Sequence, residues 1–127
     1  MSNSTTKEVV PEVDPKAYTV SEDDLEKSSN TYTYVFSKPF TYAGKTYEEL
    51  TFDFDKLTGK DVLAIMRELR LRSITVASRA FDVEYQVRYA ARCCREKIGS
   101  DVLSAMPVTD FDHIVNATQH FLAGLIL

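Results

Sequence analysis

The chain is poor in the residues that most often carry chemistry or cross-links. Its 127 residues include two cysteines, four glycines, two histidines and no tryptophan. The cysteines, Cys93 and Cys94, are adjacent, and neighbouring cysteines rarely pair because the ring that would join them is strained. Reduced thiols are the ordinary state inside a cell. The sequence therefore predicts an intracellular protein whose cysteines act as small apolar residues on or beside a helix.

Long apolar stretches and glycine clusters are also missing. No segment approaches the roughly 18 apolar residues of a membrane-spanning helix, and the first residues lack the apolar core of a secretory signal. The glycines are widely separated, so no glycine-rich loop is available to hold a phosphate. We expect a soluble protein with no membrane partner and no cofactor.

Candidate catalytic and metal-ligating groups are few. His113 and His120 lie seven residues apart on one predicted helix. Either neighbouring aspartate, Asp110 or Asp112, would add an oxygen donor that zinc accepts. Two helical turns is wider than the one-turn spacing of a tight ligand pair, so a polar surface or interface role is favoured. No pattern pairs a nucleophile with a base. We predict neither an enzyme nor a catalytic, metal or cofactor site.

Charge is unevenly distributed along the chain. Residues 1–30 hold seven acids and three lysines, whereas residues 56–97 hold ten bases and five acids. The first segment has few apolar side chains and cannot bury enough surface to offset the entropy of ordering. We predict an acidic disordered tail over residues 1–30 and a single domain over residues 31–127.

The basic segment raises the alternative of nucleic-acid binding. Its arginines are suited to phosphates, and Tyr85 and Tyr89 are suited to stacking on bases. Acids are interleaved with the arginines, however, and the sequence pI is about 5.1. A salt-bridged face, or a basic surface for an acidic protein partner, is therefore favoured over nucleic acid.

The domain begins with a pattern typical of a β-hairpin, within residues 31–55. Aromatic and polar side chains alternate at its start, as they do in half-buried strands. Residues 38–45 form a breaker region with a glycine suited to the turn. Leu50, Phe52 and Phe54 then alternate with polar residues, which predicts one apolar and one solvated face.

Helices are predicted over the rest of the domain, residues 56–127. One begins after Thr58, whose hydroxyl is a good cap. A second runs from about residue 78 to residue 97, and the last one is apolar to its end. The prediction is an α+β fold, in which an N-terminal antiparallel β-hairpin packs on a mostly α-helical part of three or more helices.

Two apolar groups are candidates for binding another protein. An i, i+4 aromatic stripe marks the second helix, and an apolar run ends the last helix, where it needs a partner in the core or on another chain. The predicted partner-binding residues are Phe81, Tyr85, Tyr89, Phe121, Leu122, Leu125 and Ile126. The alternative for the stripe is a place in the protein's own core.

Short motifs make residues 31–127 similar to a known family. After the first strand come Lys38-Pro39, the turn glycine Gly44, Tyr47 with Leu50, and the helix start Leu57-Thr58-Gly59-Lys60-Asp61. The C-terminal part adds Met106-Pro107, Thr109-Asp110-Phe111 and Phe121-Leu122. In these motifs the chain resembles the tail assembly chaperones of long-tailed bacteriophages.

The resemblance implies a small, non-enzymatic protein that acts in the host cell cytoplasm and is absent from the mature virion. Such a chaperone binds the tape measure protein and helps to recruit tail tube subunits during tail assembly. It also implies self-association, and a longer form made by ribosomal frameshifting. Two alternatives stay open: a structural or connector protein of the tail that remains in the virion, and a small nucleic-acid-binding regulator.

Overall fold

The computed structural model describes residues 30–126, so the predicted acidic tail lies outside the described residues except for Asn30. The elements are strands β1 (Thr31–Tyr42) and β2 (Lys45–Asp53), helix α1 (Gly59–Leu71), a 3-10 turn (Arg79–Phe81), and helices α2 (Val83–Cys93), α3 (Ser100–Ser104) and α4 (Val108–Ile126). The strands form an antiparallel hairpin. The predicted α+β fold, with a hairpin before three or more helices, is therefore confirmed.

Strand β1 is longer than predicted because it continues through the expected breaker region. It passes Pro39 and ends at Tyr42. The pairing register shifts between Val35 and Phe40, so Pro39 lies in an irregular stretch of the ladder, where a missing N–H is tolerated. The prediction of a breaker over residues 38–45 is wrong for six of its eight positions, since only Ala43 and Gly44 lie outside the strands.

The turn of the hairpin consists of two residues, Ala43 and Gly44. Both have positive φ angles, 52° and 80°, as the tight turns of twisted hairpins require. Next to the turn, the hydroxyl oxygens of Thr41 and Thr46 lie 2.8 Å apart across the strands. Gly44 thus serves as the turn residue that the sequence predicted.

The hairpin buries one face as predicted, but its other face is also partly covered. The apolar face of β2 and the residue after it are 0 to 4% exposed at Leu50, Phe52 and Phe54. On the opposite face Thr51 is only 8% exposed. Arg95 lies over that face, where its guanidinium makes two hydrogen bonds of 2.7 and 2.9 Å to the Asp53 carboxylate. The face predicted to be solvated is therefore covered at this end of the sheet.

Helix α1 begins after Thr58, as predicted. The Asp61 carboxylate accepts hydrogen bonds from the Thr58 backbone N–H at 2.9 Å and from the Thr58 hydroxyl at 3.3 Å. That backbone N–H and the Arg92 guanidinium keep the pKa of Asp61 below its usual range. Ile65 and Leu69 face the core. The cap fixes the start of α1 beside the end of α4, where the candidate site lies.

Helix α2 is shorter than the predicted span of residues 78–97. Asp82 has an extended backbone and accepts the Tyr85 N–H at 3.1 Å, so the helix starts after it. At the other end Cys94 forms a β-bridge with Phe52, which draws the chain onto the sheet and ends the helix. The error arose because the apolar spacing continues past both ends, whereas tertiary contacts set the boundaries.

Helix α2 is the centre of the core. Eight of its eleven residues are buried, and its buried polar groups have partners, as such groups require. The Gln86 amide donates to the Ala80 carbonyl at 2.6 Å. The two cysteines at its end are free and buried, and desolvation raises the pKa of both thiols to about 12. They therefore behave as small apolar residues.

Helix α4 packs against this core with one face. Ile114, Val115, Thr118 and Leu122 are buried along it. Near its start the Tyr34 hydroxyl donates a short hydrogen bond to the Asp110 carboxylate, and this bond joins the hairpin to α4. The same bond raises the pKa of Tyr34 to about 12. Within residues 30–126, no helix has the length and apolarity needed to cross a membrane.

Candidate partner-binding grooves

The last turns of α4 present apolar side chains to the surface. Leu122 is 5% exposed and still faces the core, whereas Leu125 and Ile126, one turn further, are 65% and 63% exposed. Covering exposed apolar groups with a partner removes them from water and lowers the free energy. Their surroundings therefore decide whether this end of the helix is a binding surface.

A groove lies between the end of α4 and the start of α1, and we call it the α1-side groove. Its volume is about 270 Å³. Its apolar lining includes Leu57, Val62, Tyr85, Tyr89, Leu122 and Ile126. Thr58 and Gly59 contribute the amino-terminal end of α1, and Arg79 stands at the margin. The groove is therefore mostly apolar, with one arginine among its lining residues.

A second groove lies between α4 and the hairpin, and we call it the hairpin-side groove. Its volume is about 420 Å³. Its lining includes Asn30, Tyr32, Phe54, His120 and Phe121. Leu125 lines both grooves. The last turn of α4 is therefore an apolar ridge between two depressions.

Six of the seven residues predicted to bind a partner line these grooves: Tyr85, Tyr89, Phe121, Leu122, Leu125 and Ile126. Tyr85 and Tyr89 are only 2% and 5% exposed and belong to the core, which was the alternative left open for the stripe. Phe81 is 57% exposed and lines neither groove. The structure thus brings the two apolar groups together, with the tyrosines beneath and the α4 residues around them.

A continuous series of aromatic rings connects the floors of the two grooves. The ring centroids of Tyr85 and Tyr89 lie 6.0 Å apart, and those of Tyr89 and Phe121 lie 6.2 Å apart. Phe121 and Phe54 are stacked at 5.4 Å. Sequence reasoning did not assign Phe54 or Tyr32 to the site. Their alternation with polar residues marked a buried face, but it did not show that α4 would lie along its edge.

The tyrosines on the floor of the α1-side groove are not ionised. The Tyr89 hydroxyl donates to the Phe54 carbonyl at 2.7 Å, and burial raises the pKa values of both Tyr85 and Tyr89. Both phenols are therefore neutral at physiological pH. A floor of neutral aromatic groups suits apolar side chains, which it contacts without leaving a charge desolvated.

A comparison with known protein families identifies the chain. A family model described as "Phage tail assembly chaperone proteins, E, or 41 or 14" matches residues 33–123. The chain belongs to this family. The match runs from β1 into the last turns of α4, and it includes most of the lining of the α1-side groove but only four of the nine lining residues of the hairpin-side groove. Searches of curated proteins and of solved structures found no significant match.

Four arginines of the basic segment of this tail assembly chaperone form ion pairs with carboxylates. The ion pairs are Arg72 with Glu68, Arg88 with Glu68 and Glu84, Arg92 with Asp61, and Arg95 with Asp53. Arg88 is 10% exposed in its side chain, so its two carboxylates offset the cost of burying it. The predicted salt-bridged face is present, and the buried tyrosines are not placed to stack on bases.

The two histidines of the chaperone have different surroundings. His113 stacks on Tyr34 and its Nδ1 lies 2.8 Å from the Thr109 carbonyl, whereas His120 lines the hairpin-side groove. No group of three or more histidines, cysteines and acids is placed to hold a metal within the part of the chain that the structure describes.

Proposed function

We propose that this tail assembly chaperone binds apolar helical segments of the phage tape measure protein in the two grooves beside α4. One observation carries the proposal: Leu125 and Ile126 are 65% and 63% exposed between two aromatic-floored depressions. An amphipathic helix laid in such a groove inserts apolar residues at i, i+3, i+4 and i+7 spacing.

The grooves suit repeated, weak binding along a long partner. Apolar burial contributes roughly 25 cal/mol per Å², so each small groove supplies modest affinity. Several chaperone copies on one tape measure protein would then give a strong but reversible coat, because linked sites raise the effective concentration of one another. We infer that self-association between copies supports this coat while tail tube subunits are recruited.

Neither groove needs a catalytic group for this role. The proposal is of a non-enzymatic protein that acts in the host cell cytoplasm and leaves before the virion is complete. Membership of the chaperone family supports it. The alternative of a connector protein predicts retention instead. Mass spectrometry of purified particles separates the two, since a chaperone is absent and a connector is present in fixed ratio to tail subunits.

A binding experiment tests the grooves directly. We expect Leu125→Asp with Ile126→Asp to reduce capture of co-expressed tape measure protein by about tenfold or more, because charges replace the apolar ridge. The matched control is Val108→Asp, which changes a 70% exposed apolar residue at the other end of the same helix. It should bind like the unchanged protein.

The controls for folding are circular dichroism and thermal unfolding of each variant. Equal capture by the folded double variant and the unchanged protein would show that the grooves are not the binding surface. Equal loss in Val108→Asp would show that binding depends on α4 as a whole and not on its last turn.

A further inference from the structure

Helix α1 has an outer face that is both basic and apolar, separate from the grooves. We call it the basic face of α1, and its residues are Lys60, Leu63, Arg67, Arg70 and Leu71. They recur at three- and four-residue intervals and therefore lie on one side of the helix. Leu63 is 64% exposed and Leu71 is 80% exposed. Along this face Leu63 lies between Lys60 and Arg67, and Leu71 follows Arg70.

The cations of this face differ from the other basic residues near them. Within residues 30–126, Lys60, Arg67 and Arg70 form no ion pair. The two acids of α1, Asp61 and Glu68, are bound by arginines of α2. The basic face therefore keeps an uncompensated positive charge, and its complement is an acidic segment with apolar side chains.

The chain itself contains such a segment. The whole protein has a net charge of -4, and the acids in excess lie in residues 1–30. Within them, residues 20–26 combine two apolar residues, Val20 and Leu25, with four acids: Glu22, Asp23, Asp24 and Glu26. This segment combines acids with two apolar residues, whereas the basic face combines cations with two leucines, so the two are complementary in charge.

The point where the described chain begins places this segment within reach. The Asn30 amide donates to the Asp55 carboxylate at 3.1 Å, and Asp55 precedes the first residue of α1 by four positions. Residues 27–29 span up to about 10 Å when extended, and the 13 residues of α1 measure about 20 Å. A segment so tethered has an effective concentration on the order of millimolar.

We propose that residues 20–26 bind the basic face of α1 in the same chain. The acids pair with Lys60, Arg67 and Arg70, while Val20 and Leu25 cover the exposed leucines. Exposed ion pairs are individually weak, so the contact is dynamic and sensitive to salt. It neutralises a surface that would otherwise attract polyanions non-specifically. The proposal is independent of what the grooves bind.

Nuclear magnetic resonance on the full-length protein tests this contact. The tail variant carries Glu22→Gln, Asp23→Asn, Asp24→Asn and Glu26→Gln. At low salt we expect its amide chemical shifts to differ from those of the unchanged protein along the basic face of α1. The difference should largely vanish at about 0.5 M salt, where charges are screened beyond about 4 Å. It should not depend on protein concentration.

A matched control removes acids from the same tail outside the proposed segment, as Glu8→Gln, Glu12→Gln and Asp14→Asn. It should leave the α1 amide shifts unchanged. The proposal is overturned if the two variants have equal effects, if neither alters α1, or if the changes appear at Leu125 and Ile126 instead. Shifts that grow with protein concentration would also overturn it, since the acidic segment would then come from a second copy.

Discussion

The middle and the last turn of α4 differ in how far their side chains are exposed. In the first half Ile114 and Thr118 are completely buried, and Asp110 is tied to Tyr34 of the hairpin. In the last turn Leu125 and Ile126 are mostly exposed. One helix thus serves the core along its middle and presents an apolar surface at its last turn. The apolar content of a segment does not separate these roles, because each depends on what lies opposite.

The largest expected effect comes from truncating a buried apolar side chain of α4, compared with truncating an exposed one in its last turn. Ile114→Ala removes a buried side chain and should lower the free energy of unfolding by about 2–5 kcal/mol. Leu125→Ala removes an exposed one and should change it by no more than about 0.5 kcal/mol. Urea denaturation of both variants measures the difference. Similar losses in the two variants would mean that the last turn is part of the core.

A smaller effect is expected where the first half of α4 meets the hairpin. Tyr34→Phe removes the donor to Asp110, which is 9% exposed and would lose a hydrogen bond. An acceptor left without its partner costs about 1–3 kcal/mol. Denaturation at pH 7 measures this loss, and a change near zero would show that solvent replaces the tyrosine at this junction.

The same variant has a signature at alkaline pH. Folding raises the pKa of Tyr34 from 10.0 to about 12 through its bond to Asp110. Its stabilising contribution is therefore complete below pH 10 and is lost as the pH rises through 12. We expect stability to fall less steeply over this range in Tyr34→Phe than in the unchanged protein. The buried cysteines and other tyrosines titrate in both proteins, so the difference between the curves isolates Tyr34.

The smallest effect is expected in the exposed half. Beyond the neighbouring residues and the backbone of its own helix, a Cβ atom added to Gly124 would meet no atom within 4 Å. Alanine loses less conformational entropy than glycine in a helix, so Gly124→Ala should raise the free energy of unfolding by about 0.5 kcal/mol. Thermal unfolding measures the gain. A lower melting temperature would indicate that the helix does not extend to Ile126 in solution.

The sequence predicts those parts of the fold that depend on local patterns. Alternation identified Leu50 and Phe52 as a buried face, and the Thr58 cap located the start of α1. The ends of α2 and the path of β1 through Pro39 were missed, because contacts distant in sequence determine them. The bridge from Cys94 to Phe52 is one such contact.

The candidate site was predictable in part of its membership but not in its arrangement. The spacing of Tyr85 and Tyr89 identified an apolar stripe, and the run after Phe121 identified an apolar end. Neither pattern contains the information that the two would meet around one pair of grooves. Phe54 joins them through the fold of the hairpin, and only its position between Tyr32 and Phe121 shows this.

The segment after α2 has a consequence for how this protein avoids aggregation. Thr51 lies on the outer edge of β2. Its N–H donates to the Glu96 carboxylate at 3.0 Å, and its carbonyl accepts from the Arg95 N–H at 2.8 Å. Unpaired strand edges recruit other strands and seed aggregates. With these groups occupied, another β-strand finds no free backbone partner at Thr51. This part of the sheet is thereby closed to the addition of a strand from another protein molecule.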